Sequence, residues 1–199
     1  MKYSITIILA TLIYSGSTDI SYGQNIKKAY FASGCFWCVE SIYENLKGVK
    51  EVYSGYSGGS VENPTYYQVI SGRTGHAEAI EVIYDSTVID FKTLVKVFFG
   101  SHDPSTLNRQ GPDVGTHYRS VAFYDSEQEK KIIEKEIKKL LDKKIYKLIT
   151  TEVLKFNKFY RAEEYHQDYK KKNPNDIYIM RVSNPRISKF KMDFKEIIK

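Results

Sequence analysis

The chain is short of the residues that usually announce a metal centre or a disulfide framework. Two cysteines, one tryptophan and four histidines occur in 199 residues. The histidines, His76, His102, His117 and His166, stand singly, so no second ligand pair accompanies the cysteines and a structural zinc site is not indicated. Nor does an arginine-rich stripe interleaved with aromatics accompany the net charge of +6. The excess lysines fall in helix-like runs such as KKIIEKEIKK (130–139) and YKKKN (169–173), which read as solvated faces and not as a nucleic-acid footprint. No heptad repeat asks for a helical partner, so a monomer is expected. Without internal repeats or low-complexity stretches, 42% hydrophobic and 27% charged residues describe one domain with a core of ordinary size.

A long apolar run is missing too. YSITIILATLIY (3–14) falls short of the roughly 20 residues that cross a bilayer. It follows the positive Lys2 and is succeeded by the small residues of Ser21-Tyr22-Gly23, the layout of a secretory signal segment. Residues 1–23 are therefore expected to be cleaved, leaving 24–199 as a single exported domain, periplasmic or secreted. No cysteine lies near the cleavage region, which argues against a lipid anchor.

What the sequence does contain is concentrated. FASGCFWCVE (31–40) holds both cysteines and the only tryptophan. KAYFAS (28–33) reads as a strand, Gly34 breaks it, and Phe36, Val39, Ile42, Tyr43 and Leu46 then recur at helical spacing until Gly48. Cys35 thus falls in the first turn of a helix, where unsatisfied N–H groups and the positive helix end favour thiolate over thiol. Cys38, one turn on, shares its face within disulfide reach. A disulfide closing so small a loop stabilises little, which makes a structural staple a weak reason for the pair. Two other classes stay open: a thioredoxin-like thiol oxidoreductase, for which no parallel βαβ pattern appears, and an exported binding module with a structural disulfide.

Strands are also read at VKEVYSGYSGG (49–59), AEAIEVIYD (77–85, one face covered), HYRSVAFYD (117–125) and LITTEVL (148–154). Asp90 can cap a helix through FKTLVKVFF, and Ser126 with Glu129 forms a capping-box pattern opening a helix with Ile132, Ile133, Ile137, Leu140 and Leu141 on one stripe. AEEYHQDYKKK (162–172) reads as a further helix, and 177–199 as an extended arm with a short helix. Strands and helices mixed in this order predict an α+β two-layer sandwich, helices packed on a small mixed sheet.

At GCFWCVE (34–40), YSGG (56–59), NPTYYQV (63–69), TGHAEAIEVIYD (74–85), HDPSTLNRQGPDVGTHYRS (102–120) and AEEYHQDY (162–169), the chain closely resembles the peptide methionine sulfoxide reductase A family. The blocks keep the family's order and cover most of 29–170. The resemblance implies a split βαβ, ferredoxin-like core, no bound cofactor, and reduction of the S epimer of methionine sulfoxide, free or in oxidised proteins, as repair under oxidative stress. It also implies site roles. Cys35 would be the nucleophile, and Phe36 and Trp37 the apolar cage for the substrate methyl. Glu78 would be the acid that protonates the sulfoxide oxygen, helped by the Tyr66 and Tyr118 hydroxyls, while Asp113 would contact the substrate main chain. Cys38 would resolve the Cys35 sulfenic acid, and thioredoxin or a similar dithiol would reopen the Cys35–Cys38 disulfide. Three departures from the family pattern stand out: Cys38 occupies a common glycine position with no cysteine after it, His117 replaces a common glutamine, and Pro112 follows Gly111. Mass spectrometry of the exported chain is expected to find Gln24 at its N-terminus; an intact Met1 would contradict the signal-segment reading.

Overall fold

A computed structural model describes residues 25–199, so the signal-segment expectation lies outside the described residues. The order begins with strand β1 (Ile26–Ser33), helix α1 (Phe36–Glu44), strand β2 (Val49–Ser57), helix α2 (Tyr66–Ile70), strand β3 (Ala77–Asp85) and helix α3 (Phe91–Gly100). A two-residue hairpin pair, β4 (Arg109–Gln110) and β5 (Asp113–Val114), leads into strand β6 (Ser120–Tyr124) and helix α4 (Glu127–Asp142). Strands β7 (Glu152–Lys155) and β8 (Phe159–Arg161), helix α5 (Tyr169–Lys172) and helix α6 (Asn184–Asp193) complete the list. Six strands form one mixed sheet in the order β7-β6-β1-β3-β2-β8. The β6–β7 pair is parallel and the other neighbours are antiparallel. The fold is a mixed α+β one, as the sequence pattern predicted.

The parity of β3 explains how the sheet divides its surroundings. Ala77 and Ala79 face a small cluster with Ala32, Val121 and Phe123. Glu78, one residue out of phase with them, shares the other face with Ile80 and Val82, which enter the main core with residues of α1, α3, α4 and α6. Strand β3 is therefore covered on both faces, not on one as its alternation suggested, because Phe156, after β7, and Phe159, at the start of β8, pack against the cluster on its second face. At Gly34 the backbone adopts φ +84, and a Cβ there would lie 2.5 Å from the Gln110 side chain. Only glycine turns the chain from β1 into α1 at this spot.

Five expectations need correction. His117 and Tyr118 belong to a 3-10 turn, Thr116–Tyr118, and β6 starts only at Ser120. Strand β7 begins at Glu152, so Leu148 stays exposed outside it. In α4, Ser126 accepts the Glu129 N–H as predicted, but the Glu129 carboxylate takes the N–H of Asp125, and Leu141 is exposed. The helix predicted over 162–172 splits into a 3-10 turn at Glu164–His166 and the short α5. Tertiary hydrogen bonds outcompete helix continuation there: the Gln167 amide accepts from Ser54 N and donates to Ser54 and Ala162 carbonyls, and Asp168 N–H goes to Glu40 Oε1 at 3.0 Å. The segment 177–199 is likewise mostly helical, with a π turn at Ile179–Ser183 running into α6, where Ile187 and Phe190 are buried in the main core.

Glu40 is buried on α1, accepting also from Ser54 Oγ at 3.0 Å. Burial outweighs these two bonds and pushes its carboxyl up to about 7. A carboxyl raised on folding resists ionisation, so its stabilising contribution is complete below the ordinary carboxylate range and is lost as pH rises toward 7. Urea unfolding at mildly acidic and mildly alkaline pH is expected to show the unsubstituted chain losing on the order of 2 kcal/mol more stability than Glu40→Gln across that interval; equal losses would remove Glu40 as the cause.

Candidate active site

The site grows from the β1–α1 junction. Cys35 occupies the N-cap position of α1, and its side chain caps nothing. The first helical N–H, that of Phe36, is satisfied instead by Glu78 Oε2 at 3.0 Å, reaching up from β3. A helix end normally leaves such N–H groups to water or to a nearby polar side chain; here a buried acid from a distant strand takes the role, which brings nucleophile and acid together. Among the described residues Phe36 N–H is the one hydrogen-bond partner of Glu78, so its second oxygen is unengaged.

Above this junction lies a pocket of about 230 Å³. Cys35, Glu78, Phe36, Trp37, Tyr66, Tyr118 and Asp113 all line it. All seven were predicted for the site; the eighth, Cys38, lies behind Cys35, fully buried, and does not line the pocket. Tyr66 is set by a capping box at the start of α2, with Thr65 Oγ1 accepting Gln68 N–H and Gln68 Oε1 accepting Thr65 N–H. Its own N–H goes to Glu163, whose other oxygen accepts from Tyr56 OH, the residue paired with Glu78 across the sheet. Trp37 stacks on Tyr169 at 3.7 Å and donates through Nε1 to His166 Nδ1 at 3.2 Å. That bond assigns the imidazole proton to Nε2 and keeps the ring neutral, in line with burial lowering its basicity. His117 packs beside Tyr118, ring centroids 4.1 Å apart, under Gly115.

Tyr169, Asp176 and Tyr178 complete the lining, and sequence reasoning assigned none of them. Tyr178 donates to Asp113 Oδ2 at 2.6 Å. Seventeen tyrosines gave no reason to choose these two. The α2 capping box was a legible signal for the placement of Tyr66, since Thr65 and Gln68 have the required spacing.

Electrostatics separates the two sulfurs and the acid. Burial raises Glu78 to about 8 despite the Phe36 N–H bond, and the Asp113 and Cys38 charges add to the rise. Cys35 is pushed well above the ordinary thiol range by burial, by donating to Cys38, and by the Glu78 charge. Its position at the helix start does not make it the resting thiolate that the sequence suggested. Cys38 is drawn down instead, by the Cys35 hydrogen bond first, with Arg186 and Ser183 adding to it, against burial. Of the two sulfurs the inner one, Cys38, is the more easily ionised. Elsewhere, Glu40, Glu44 and Asp168 cluster closely enough to consider a cation, but Lys171 already bridges Glu44 and Asp168 at 2.6 and 2.7 Å. A buried neutral acid, a nucleophilic sulfur and aromatic walls suit a small apolar substrate bearing one basic oxygen.

Comparison with known proteins points the same way. The profile of the family described as peptide methionine sulfoxide reductase matches residues 27–197. Peptide methionine sulfoxide reductase MsrA of Pasteurella multocida is 45% identical over 173 residues, covering 87% of this chain and 99% of that protein. Reduced Mxr1 from Saccharomyces cerevisiae superposes with a TM-score of 0.73 at 36% identity, covering 78% of this chain and 90% of that one. The same yeast protein in complex with Trx2 gives 0.53 at 28% identity, covering 76% and 91%.

Proposed function

This chain belongs to the peptide methionine sulfoxide reductase family, and on that premise we propose how its residues divide the reduction of methionine S-sulfoxide, free or in oxidised proteins. The observation that carries the reading is the buried Glu78 carboxyl, hydrogen-bonded to the N–H next to Cys35 and raised to about 8. A thiolate attacks a sulfoxide sulfur only if the oxygen is protonated or strongly hydrogen-bonded as charge builds on it. Glu78 keeps its proton at neutral pH, and its unengaged oxygen delivers it. Tyr66 and Tyr118, both raised by burial and therefore firmly protonated, donate alongside.

Phe36 and Trp37 hold the substrate methyl, and Asp113 takes the substrate main chain. As the Cys35 sulfur attacks the sulfoxide sulfur, its proton passes to the Cys38 sulfur to which it is hydrogen-bonded and Glu78 protonates the oxygen; the sulfoxide S–O bond breaks, the hydroxyl ends on Cys35 as a sulfenic acid, and methionine leaves. Cys38 displaces the hydroxyl to form the Cys35–Cys38 disulfide. An external dithiol then reopens it, and the complex of the yeast relative with Trx2 supports a thioredoxin in that role. We read the core as ferredoxin-like because β1-α1-β2 and β3-α3-β6 each join two parallel strands separated by one antiparallel strand, giving the order β6-β1-β3-β2. Export as a single monomeric domain belongs to the same reading, supported by the layout of residues 1–23.

Two experiments test these roles. In single-turnover assays, methionine release is expected to fall as pH rises through about 8, where Glu78 loses its proton. Glu78→Gln is expected to abolish that limb and to slow release about 10²-fold or more at neutral pH, the usual cost of losing one transition-state donor; unchanged kinetics would remove Glu78 from the mechanism. Separately, Cys35→Ser is expected to abolish reduction, whereas Cys38→Ser is expected to release one methionine per chain and stop with sulfenic acid trapped. Normal cycling of Cys38→Ser with thioredoxin would sink the resolving assignment.

A further inference from the structure

The C-terminal segment, which the roles above leave unused, is built around Cys38. In an α-helix, residues five apart point about 140° away from each other. The π turn at Ile179–Ser183 widens the coil, and both Tyr178 and Ser183 reach the sulfur pair; such turns recur at functional sites. Ser183 is fully buried, caps no helix N–H, and sets its Oγ 2.6 Å from Cys38 Sγ. Three residues on, Arg186 is anchored by two backbone carbonyls, donating through Nε to Ser101 O at 2.8 Å and through Nη2 to Ser33 O at 3.0 Å. These bonds hold the guanidinium at the β1–α1 junction, with Nη1 3.7 Å from where a Gly34 Cβ would lie, and from there its positive field reaches Cys38 and Asp113. Tyr178 cannot serve Cys38 in the same way: its single proton goes to Asp113, and its oxygen stands 4.0 Å from Cys38 Sγ.

Resting on the reductase reading above, we propose that Ser183 and Arg186 are positioning residues for the resolving cysteine, holding the Cys38 sulfur as a thiolate both when it closes the disulfide and when it is expelled from it. In closure, the Cys38 thiolate attacks the Cys35 sulfenic sulfur; the S–S bond forms, the S–O bond breaks, and the oxygen takes one proton and leaves as water. In reopening, a thiolate of the external dithiol attacks Cys35, which lines the pocket, and not Cys38, which is wholly enclosed. The S–S bond breaks and Cys38 departs as a thiolate stabilised by the Ser183 hydroxyl and the Arg186 guanidinium, as befits the better leaving sulfur. The reductant's second thiol then displaces Cys35, which recovers a proton, and the reductant carries away the disulfide. The tail thus fixes the direction of electron entry.

The test uses Cys38 as the sole thiol, in a Cys35→Ser background, titrated by the ultraviolet absorbance of its thiolate. Adding Ser183→Ala or Arg186→Gln is expected to raise the midpoint by about one pH unit or more, as loss of a hydrogen bond or charge beside an anion does, whereas Arg186→Lys is expected to restore most of the shift. In chains with both cysteines, Ser183→Ala is expected to release one methionine per chain while the sulfenic acid, trapped by dimedone, persists about tenfold longer or more at pH below the new midpoint. Should Arg186→Gln fail to fold, Ser183→Ala, which deletes one buried oxygen, decides the matter. A midpoint unmoved by the folded variants overturns the proposal. Absence of methionine release from the unsubstituted chain would instead refute the reductase reading, and the titration, which needs no substrate, would still judge the tail.

Discussion

The bond from Phe36 N–H to Glu78 Oε2 is the contact on which the chemistry depends. It joins the first turn of α1 to the middle of the sheet, and it exists because two independent parities agree. Strand β3 turns Glu78 toward the helical layer while sending Ala77 and Ala79 the other way, and Gly34 releases the chain from β1 so that α1 opens directly above. A one-residue slip in β3 would send the carboxyl to the opposite face and leave the Phe36 N–H without a partner. Acid and nucleophile are therefore adjacent for a reason of packing as much as of catalysis.

Features legible in the sequence were those written locally. The Asp90 cap, bonded to Thr93 N–H, and the Ser126 start of α4 are set by neighbours within four residues, and the strand-glycine-helix junction at Cys35 shows in the residue types, though Gln110 and Glu78 complete it. The helix expected over 162–172 failed because its decisive bonds run to Ser54 and Glu40, more than a hundred residues away in the chain. No periodicity announces them. The tail was read as an extended arm with a short helix for the related reason that the course of its backbone depends on docking Ile187 and Phe190 into the core, against partners far away in the chain.

The site divides along the same line. The junction and the spacing of Cys35 and Cys38 could be reasoned from residue types, but Glu78, Tyr66, Tyr118 and Asp113 were selected by family motifs, since a glutamate in a strand or a tyrosine in a loop has many ordinary explanations. The charge distribution over the two sulfurs was not legible at all. A helix start argues for an ionised Cys35, yet burial and the hydrogen bond to Cys38 oppose it. Only the folded tail, which sets the Ser183 hydroxyl against Cys38 and anchors Arg186 at the β1–α1 junction, favours ionisation of the inner sulfur.

Trp37 has one further consequence. It is the chain's sole indole, it shares the pocket wall with the nucleophile, and it is clamped face to face on Tyr169 with its N–H pinned to His166. Its fluorescence, excited at the red edge where tyrosine does not absorb, therefore originates from a single spot within the working cavity. The protein carries its own optical gauge of occupancy and oxidation, and needs no label to report on each step.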